Sequence, residues 1–348
     1  MSISATVKVM TAEEIAAQAG GETPFFHWPQ RSTLFAERQM RLRQLAGNHA
    51  MGDFLRFMSD LARVQQAALL RFASVPLPDH DALTRAAQAG LPPLPAVDWP
   101  RDAAWRSELR LMAADLRGTA PEGVRAALDV IDRASDEDLE RQADCLLTGV
   151  MNGLNLATAP VIAAALQVYW THLVLAVQAH HTQAGGSGPL NSPFGRTDDI
   201  TVCPCCGSRP TASLTRTSGA TSGQRYLHCS LCSTQWYLER IKCAHCLSIK
   251  SIAYQSLELA DAQDDDERPR AGKAAVQAET CDDCGHYLKI MHGDRDPFVD
   301  PVADDLASVT LDLLVSDAGL QRHGVNLMLL FGEPDTPPET PPDPPGDA

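Results

Sequence analysis

The sequence predicts a multidomain protein of helices plus a small β part: an N-terminal helical bundle followed by tandem, zinc-ribbon-like metal-binding modules. Three observations lead there. The length of 348 residues fits two domains at ~100–200 residues each. Alanine is abundant and only 5% of residues are aromatic, which favours helices over a β-sandwich. Nine of the ten cysteines fall between 203 and 284. With 44% hydrophobic and 21% charged residues, the chain is ordinary globular material and wholesale disorder is excluded. The net charge of -15 repels phosphate backbones and argues against nucleic-acid binding.

The helical half comes first. Phe54, Phe57, Met58, Leu61, Val64, Ala68 and Phe72 recur every three or four positions, the spacing of one helix face. Asp102 reads as an N-cap for a stripe through Trp105, Leu109, Met112 and Leu116. Ser135 with Asp138 resembles a capping box leading into Leu139, Leu146 and Leu147. The Pro-rich connector 91–101 cannot be helical throughout. Residues 30–182 therefore read as a bundle, and 30–195 as the helical domain with its linker, preceded by an extension over 1–29.

Between Cys145 and Gly195 there is no Asp, Glu, Lys or Arg, and residues 156–179 are long enough to cross a bilayer. Gln167, His172 and Gln178 interrupt the stretch, and no aromatic belt or basic flank brackets it. A helix buried on all sides is the preferred reading, without stable membrane insertion. Glu13 and Glu14 stand where a secretory signal would need an apolar run, so a reducing cytoplasm is expected. Gly, Ser and Pro over 183–195 mark a boundary. The segment 196–330 holds the cysteine modules and ends in a helix announced by Asp300-Pro301, with Val302, Leu306, Val309 and Leu313 on one face. From Phe331 the tail has seven prolines and five acids and reads as disordered.

Eight cysteines form four C-x-x-C pairs: Cys203/Cys206, Cys229/Cys232, Cys243/Cys246 and Cys281/Cys284. This spacing lets one tight turn aim two sulfurs at one ion, and two such turns complete a tetrathiolate. Pro204 and Gly207 shape the first knuckle, and Gly285 follows Cys284 in the same way. Chain order groups the first two pairs, 22 residues apart, and the last two, 34 apart; each gap has room for a short hairpin. An interleaved grouping stays open, with loop closure favouring the local one. Gln224 to His228 reads as a strand entering a knuckle and Trp236 to Leu238 as one leaving. The acidic run Asp261 to Arg268 reads as an exposed loop.

A mononuclear ion suits symmetric knuckles better than an iron–sulfur cluster, and four equivalent pairs argue against thiol–disulfide catalysis. Spacing leaves iron and zinc open. Four thiolates close the coordination shell and leave no place for a metal-bound water, so hydrolysis at these sites is not expected. Cys205 and Cys145 are left over as bystanders, with the Cys205 sulfur pointing away. His228 and His245 flank knuckles whose ligand sets are already complete, and His180-His181 ends a helix. No Ser/His/Asp array, P-loop or GxGxxG is present.

Cys203-Pro-x-Cys-Gly, Arg225-Tyr-Leu-His-Cys-Ser-Leu-Cys, Trp236, Ile241-Lys-Cys-x-x-Cys, Ala278-Glu-Thr-Cys-Asp-Asp-Cys-Gly, Tyr287-Leu-Lys-Ile and Pro301-Val-Ala-Asp-Asp-Leu-Ala-Ser resemble the FdhE family of formate dehydrogenase accessory proteins. The resemblance implies a cytoplasmic, chaperone-like protein without turnover of its own. Its rubredoxin-like domain would hold two iron ions on the eight paired cysteines. It also implies binding to the catalytic subunit of a respiratory formate dehydrogenase, which needs that help to become active. Cys205 and the acidic tail depart from the family pattern. Two other functions remain open: a rubredoxin-type electron carrier, and a zinc-ribbon nucleic-acid regulator, for which the acidic chain lacks a basic stripe.

Charge adds two readings. Arg196, Arg209, Arg216, Arg225, Arg240, Lys242 and Lys250 outnumber Asp198, Asp199 and Glu239 over 196–250. They are either solvated charges or a face toward an acidic partner. Asp304-Asp305 reads as a first-turn preference ahead of a partner contact.

Overall fold

The computed structural model describes residues 24–183, 192–216, 223–257 and 274–330. The expectations for residues 1–23, for linker residues 184–191, for the acidic run 261–268 and for the tail from 331 lie outside the described residues.

The helical half contains α1 (Leu34–Leu45), α2 (Gly52–Arg71), α3 (His80–Gln88), α4 (Ala104–Leu116), α5 (Glu122–Arg133), α6 (Asp136–Thr148) and α7 (Ala159–Gln183). Ser135 caps α6 as expected, its hydroxyl accepting the Asp138 N–H at 3.1 Å. The cap of α4 falls one residue later than expected, at Ala103. A methyl group cannot cap, and Asp102 does so from one position back, accepting the Ala104 N–H at 2.8 Å. The connector 91–101 is irregular, as its prolines require.

The long apolar helix α7 is the centre of the bundle, with α2, α4 and α6 packed around it. In its most apolar 18-residue window 83% is buried, which is the all-round burial of a core helix. Two of its polar interruptions are bonded. Gln167 accepts from Gln65 at 2.9 Å and donates to the Ser230 carbonyl at 2.8 Å. His172 Nδ1 lies 3.1 Å from Arg31.

The strands are β1 (Phe26–His27), β2 (Pro210–Arg216), β3 (Gln224–Cys229), β4 (Gln235–Tyr237), β5 (Ile252–Gln255), β6 (Val276–Cys281), β7 (His286–His292) and β8 (Gln321–Arg322). They form one sheet in the order β1-β4-β3-β2-β7-β6-β5, with β8 also on β7. Its two halves repeat one unit, a knuckle, two antiparallel strands, a second knuckle and a third strand. Each gap between cysteine pairs thus holds the expected hairpin. The halves join where β2 runs parallel to β7, Ser213 opposite Ile290. Arg225 on β3, fully buried, pairs with buried Glu279 on β6 and donates to the Glu239 carbonyl at 3.1 Å. Arg225 is therefore neither solvated nor free to face a partner. Arg216 is half-buried on Gln235, whereas Arg196, Arg209, Arg240 and Lys250 are exposed.

The expected C-terminal helix is broken into α8 (Ala303–Ala307) and α9 (Val309–Asp317), and Leu313 faces solvent. The cause is a buried lysine. Lys289 on β7, 2% exposed, donates to the carbonyls of Asp305 (2.9 Å) and Ser308 (3.1 Å), drawing off acceptors that a continuous helix would use. Its charge faces Asp305 (3.1 Å) and Asp312 (2.5 Å), and Arg322 faces the same two acids at 2.7 and 2.8 Å. The Asp304-Asp305 pair does sit in a first turn, but both side chains are buried in ion pairs, Asp304 with Arg41 of α1 at 2.6 Å. A partner contact at this pair is ruled out. Two cations and two carboxylates balance here, and removing one cation strands a buried charge. Lys289→Met is expected to lower the unfolding free energy by ~3–5 kcal/mol in chemical denaturation. A loss below about 1 kcal/mol, the range of an exposed pair, would contradict this.

Candidate metal centres

The four knuckles share one backbone plan. The fourth residue after the first cysteine is left-handed in every case: Gly207 (φ 75°), Ser233 (58°), Leu247 (62°) and Gly285 (68°). The first cysteine's N–H donates to the carbonyl five residues on in three of them, to Ser208, Thr234 and Ser248 at 2.8–2.9 Å. Glycine enters this conformation freely. Ser233 and Leu247 do so at a cost of roughly 1–2 kcal/mol, so those knuckles are held by the shape around the sulfurs. The glycines were visible in the sequence; the two strained positions show only once the four turns are aligned.

The sulfurs gather in chain order. Cys203, Cys206, Cys229 and Cys232 form one group and Cys243, Cys246, Cys281 and Cys284 the other, with all Sγ atoms of a group within 4.8 Å of one another. Sulfur separations are 3.4 Å (Cys206–Cys229), 3.6 Å (Cys203–Cys232) and 3.7 Å (Cys206–Cys232) in the first. In the second they are 3.8 Å (Cys243–Cys284) and 3.7 Å (Cys246–Cys281). A tetrahedron with metal–sulfur bonds of about 2.3 Å has edges of about 3.8 Å, so both groups fit one ion each. A disulfide needs about 2.05 Å, and all ten cysteines are free thiols.

The two sites differ in burial. All four sulfur residues of site one are at most 1% exposed. They lie where the helical half meets the sheet: Leu94 and Ala96 of the connector donate to the carbonyls of Cys205 and Cys206 at 3.0 and 2.8 Å. Site two sits on the outer half of the sheet, with Cys246 exposed and Cys284 partly so. Backbone N–H groups point at sulfur in both, from Leu231 and Cys232 to Cys229 (3.4 and 3.3 Å), and from His245 and Cys246 to Cys243 (3.4 and 3.5 Å). Such donors favour thiolate over thiol.

Burial pushes the thiols of Cys203 and Cys229 well up. At Cys232 burial acts the same way but is overcome by hydrogen bonds from Cys203, Cys205, Cys206 and Cys229, which hold it well below its ordinary value. Thiolates crowded in so buried a cage repel one another, and a bound cation would offset that repulsion. Cys205 departs from expectation. Its side chain is fully buried, burial raises its thiol, and Cys203 and Cys232 are among its hydrogen-bonding neighbours. The thiol is therefore not turned out to solvent. Cys145 is a partly buried thiol on α6, far from either cage in sequence and bonded only to the Asn152 carbonyl at 3.7 Å.

His228 is buried and outside both ligand groups; burial, then Arg38, pulls it down to about 4. His180 and His181 lie in the last turn of α7. His245 stacks on His286 with ring centroids 3.8 Å apart, and His323 meets His245 edge-on at 5.1 Å. His286, two residues after Cys284, meets His245 across the site-two knuckles, and His323 joins them through the β7–β8 pairing.

A helical bundle fused to a duplicated sheet with two tetracysteine cages defines a class of small metal-ribbon proteins in which the ion has no open coordination position. Three family profiles match successive segments, described as FdhE, N-terminal over residues 23–186, FdhE, central domain over 202–240, and FdhE, C-terminal domain over 241–329. The chain is 35% identical over 332 residues to a protein FdhE homolog of Serratia proteamaculans, covering 94% of this chain and 99% of that one. It is 38% identical over 309 residues to one of Pseudomonas aeruginosa, covering 89% and 94%. The crystal structure of the FdhE protein from Pseudomonas aeruginosa superposes with a TM-score of 0.75 at 37% identity, over 88% of this chain and 99% of that one. The chain belongs to the FdhE family.

Unequal burial predicts unequal consequences. Cys206→Ser is expected to remove stability on the scale of a whole domain, ~5–15 kcal/mol, and to leave little folded protein. Cys246→Ser is expected to release one of two bound ions while helical circular dichroism and the main unfolding transition stay in place. Equal loss of fold in both variants would contradict the difference.

Proposed function

We propose that this chain is a non-enzymatic accessory protein of the cytoplasm. It binds the catalytic subunit of a respiratory formate dehydrogenase and is needed for that subunit's activity. In this reading Cys203, Cys206, Cys229 and Cys232 ligate one ion, and Cys243, Cys246, Cys281 and Cys284 a second, iron being favoured over zinc. Family membership supports the assignment, and the donor set and sulfur spacing support the ligands.

The observation that carries the reading is the contrast between the cages. A sealed site at the junction of bundle and sheet serves the fold, because neither water nor a partner reaches it. An ion site opening at the surface serves contact. Around it Ile241 and Ile249 are 56% and 67% exposed, an apolar fringe of the kind that marks protein contacts. Bound iron at such a site would supply one-electron chemistry at a thiolate edge. The chain's own part is to hold that edge rigid between β5, β6 and β7 and present it. The exposed edge also favours a second reading, a self-standing rubredoxin-type electron carrier.

A strain lacking the gene is expected to make the formate dehydrogenase subunit at normal abundance but without activity, and Cys246→Ser is expected not to restore it. Full activity in the deletion strain would overturn the proposal. Activity restored by any one-electron donor in place of the chain would favour the carrier. Anaerobically purified protein is expected to show the strong colour of ferric tetrathiolate, where zinc is colourless.

A further inference from the structure

Over one face of β2, β3 and β4 lies a cleft of about 310 Å³, at the small end of ligand-site volumes, that contains no cysteine of either cage. Its floor carries Arg216, His228 and Gln235, the last two directly opposite each other on β3 and β4. Leu34 of α1 and Val299 of the loop after β7 add an apolar wall. Arg216 is half-buried, and its Nε and Nη2 both donate to Gln235 Oε1, at 2.9 and 2.8 Å. Gln235 thus takes the Nε side of the guanidinium and leaves the end-on pair of N–H groups on Nη1 and Nη2 free. Among the described residues no carboxylate stands within ion-pair distance of Arg216, and burial holds its pKa below the usual arginine value. His228 is 2% exposed, and its Nδ1 has no hydrogen-bond partner among the described residues. A buried ring nitrogen left unbonded is costly, and so is a buried cation without a counter-ion. The acids that line the cleft do not supply the missing charge. Asp300 accepts from Arg38 at 3.1 Å and from the Val302 and Ala303 N–H groups at 3.0 and 2.8 Å, while Glu37 is exposed and acts on Arg216 only at long range.

We propose that this cleft binds a carboxylate with a short aliphatic body, either a free organic acid or the side chain of an acidic peptide residue. The carboxylate accepts from the free end of the Arg216 guanidinium, a planar fork suited to two oxygens. It also accepts from His228 in the neutral tautomer that carries its proton on Nδ1. Leu34 and Val299 cover the aliphatic body. Glu37 and Asp300 repel a second negative charge, so the cleft selects a monoanion over phosphate. The site takes no metal, and it stands independently of what the sulfur cages hold.

The test is a ligand-observed NMR titration of the full-length chain at constant ionic strength. The probes are butyrate, its uncharged match butyramide, inorganic phosphate, and a capped alanine peptide carrying one glutamate. Saturable binding of butyrate is expected. Butyramide, and butyrate with Arg216→Gln, are each expected to bind about ten-fold more weakly or worse, the scale of one hydrogen bond to a charged group. No saturable butyrate binding, an unchanged affinity in Arg216→Gln, or butyramide or phosphate binding as tightly as butyrate would overturn the proposal. Tighter binding of the glutamate peptide than of butyrate supports the site as a contact for a partner's acidic side chain, and the reverse order supports it as a site for a free acid. If Arg216→Gln does not fold by circular dichroism, Gln235→Met decides, because it removes the group that holds the guanidinium: weaker butyrate binding supports the site, and an unchanged affinity overturns it.

Discussion

Four thiols packed within 3.4–3.7 Å of their neighbours in a dry interior set the terms for everything built around them. Thiolates held this close would repel one another in a low dielectric. A bound cation would remove that conflict and turn the cluster into a cross-link worth ~10–16 kcal/mol. The cross-link lies at the one place where connector, central helix and sheet all converge: Leu94 bonds both to the Cys205 carbonyl and, through its own carbonyl, to Trp170 of α7. The bundle and the first half of the sheet therefore share a single core.

The second half of the sheet repeats the first in order but not in surroundings. It is tied on by backbone pairing between β2 and β7 and by the buried Arg225–Glu279 pair. Those ties hold its strands while leaving the outer knuckle in solvent. The duplicated unit thus has one copy buried in the shared core and one copy open to solvent.

Much of this was legible in the residues. The 3.6-residue period of α2, the capping serine of α6 and the charge-free run of α7 each follow from local chemistry. The four C-x-x-C pairs point to two four-sulfur cages, and the structure decides their grouping in chain order. What escaped were long-range effects. Lys289 and Asp305 look like ordinary surface charges in sequence, and only their meeting under β7 breaks the last helix. Arg225 sits among other basic residues and gives no sign of burial. Cys205 is fully buried, and a connector more than a hundred residues earlier bonds to its carbonyl. His323 carries no motif and is placed beside His245 and His286 through β8.

The most direct test is X-ray absorption at the metal edge on the full-length chain carrying two ions. The account predicts a shell of four sulfurs at about 2.3 Å and no nitrogen or oxygen neighbour. A first shell containing light atoms, or metal–metal scattering with inorganic sulfide, would contradict it.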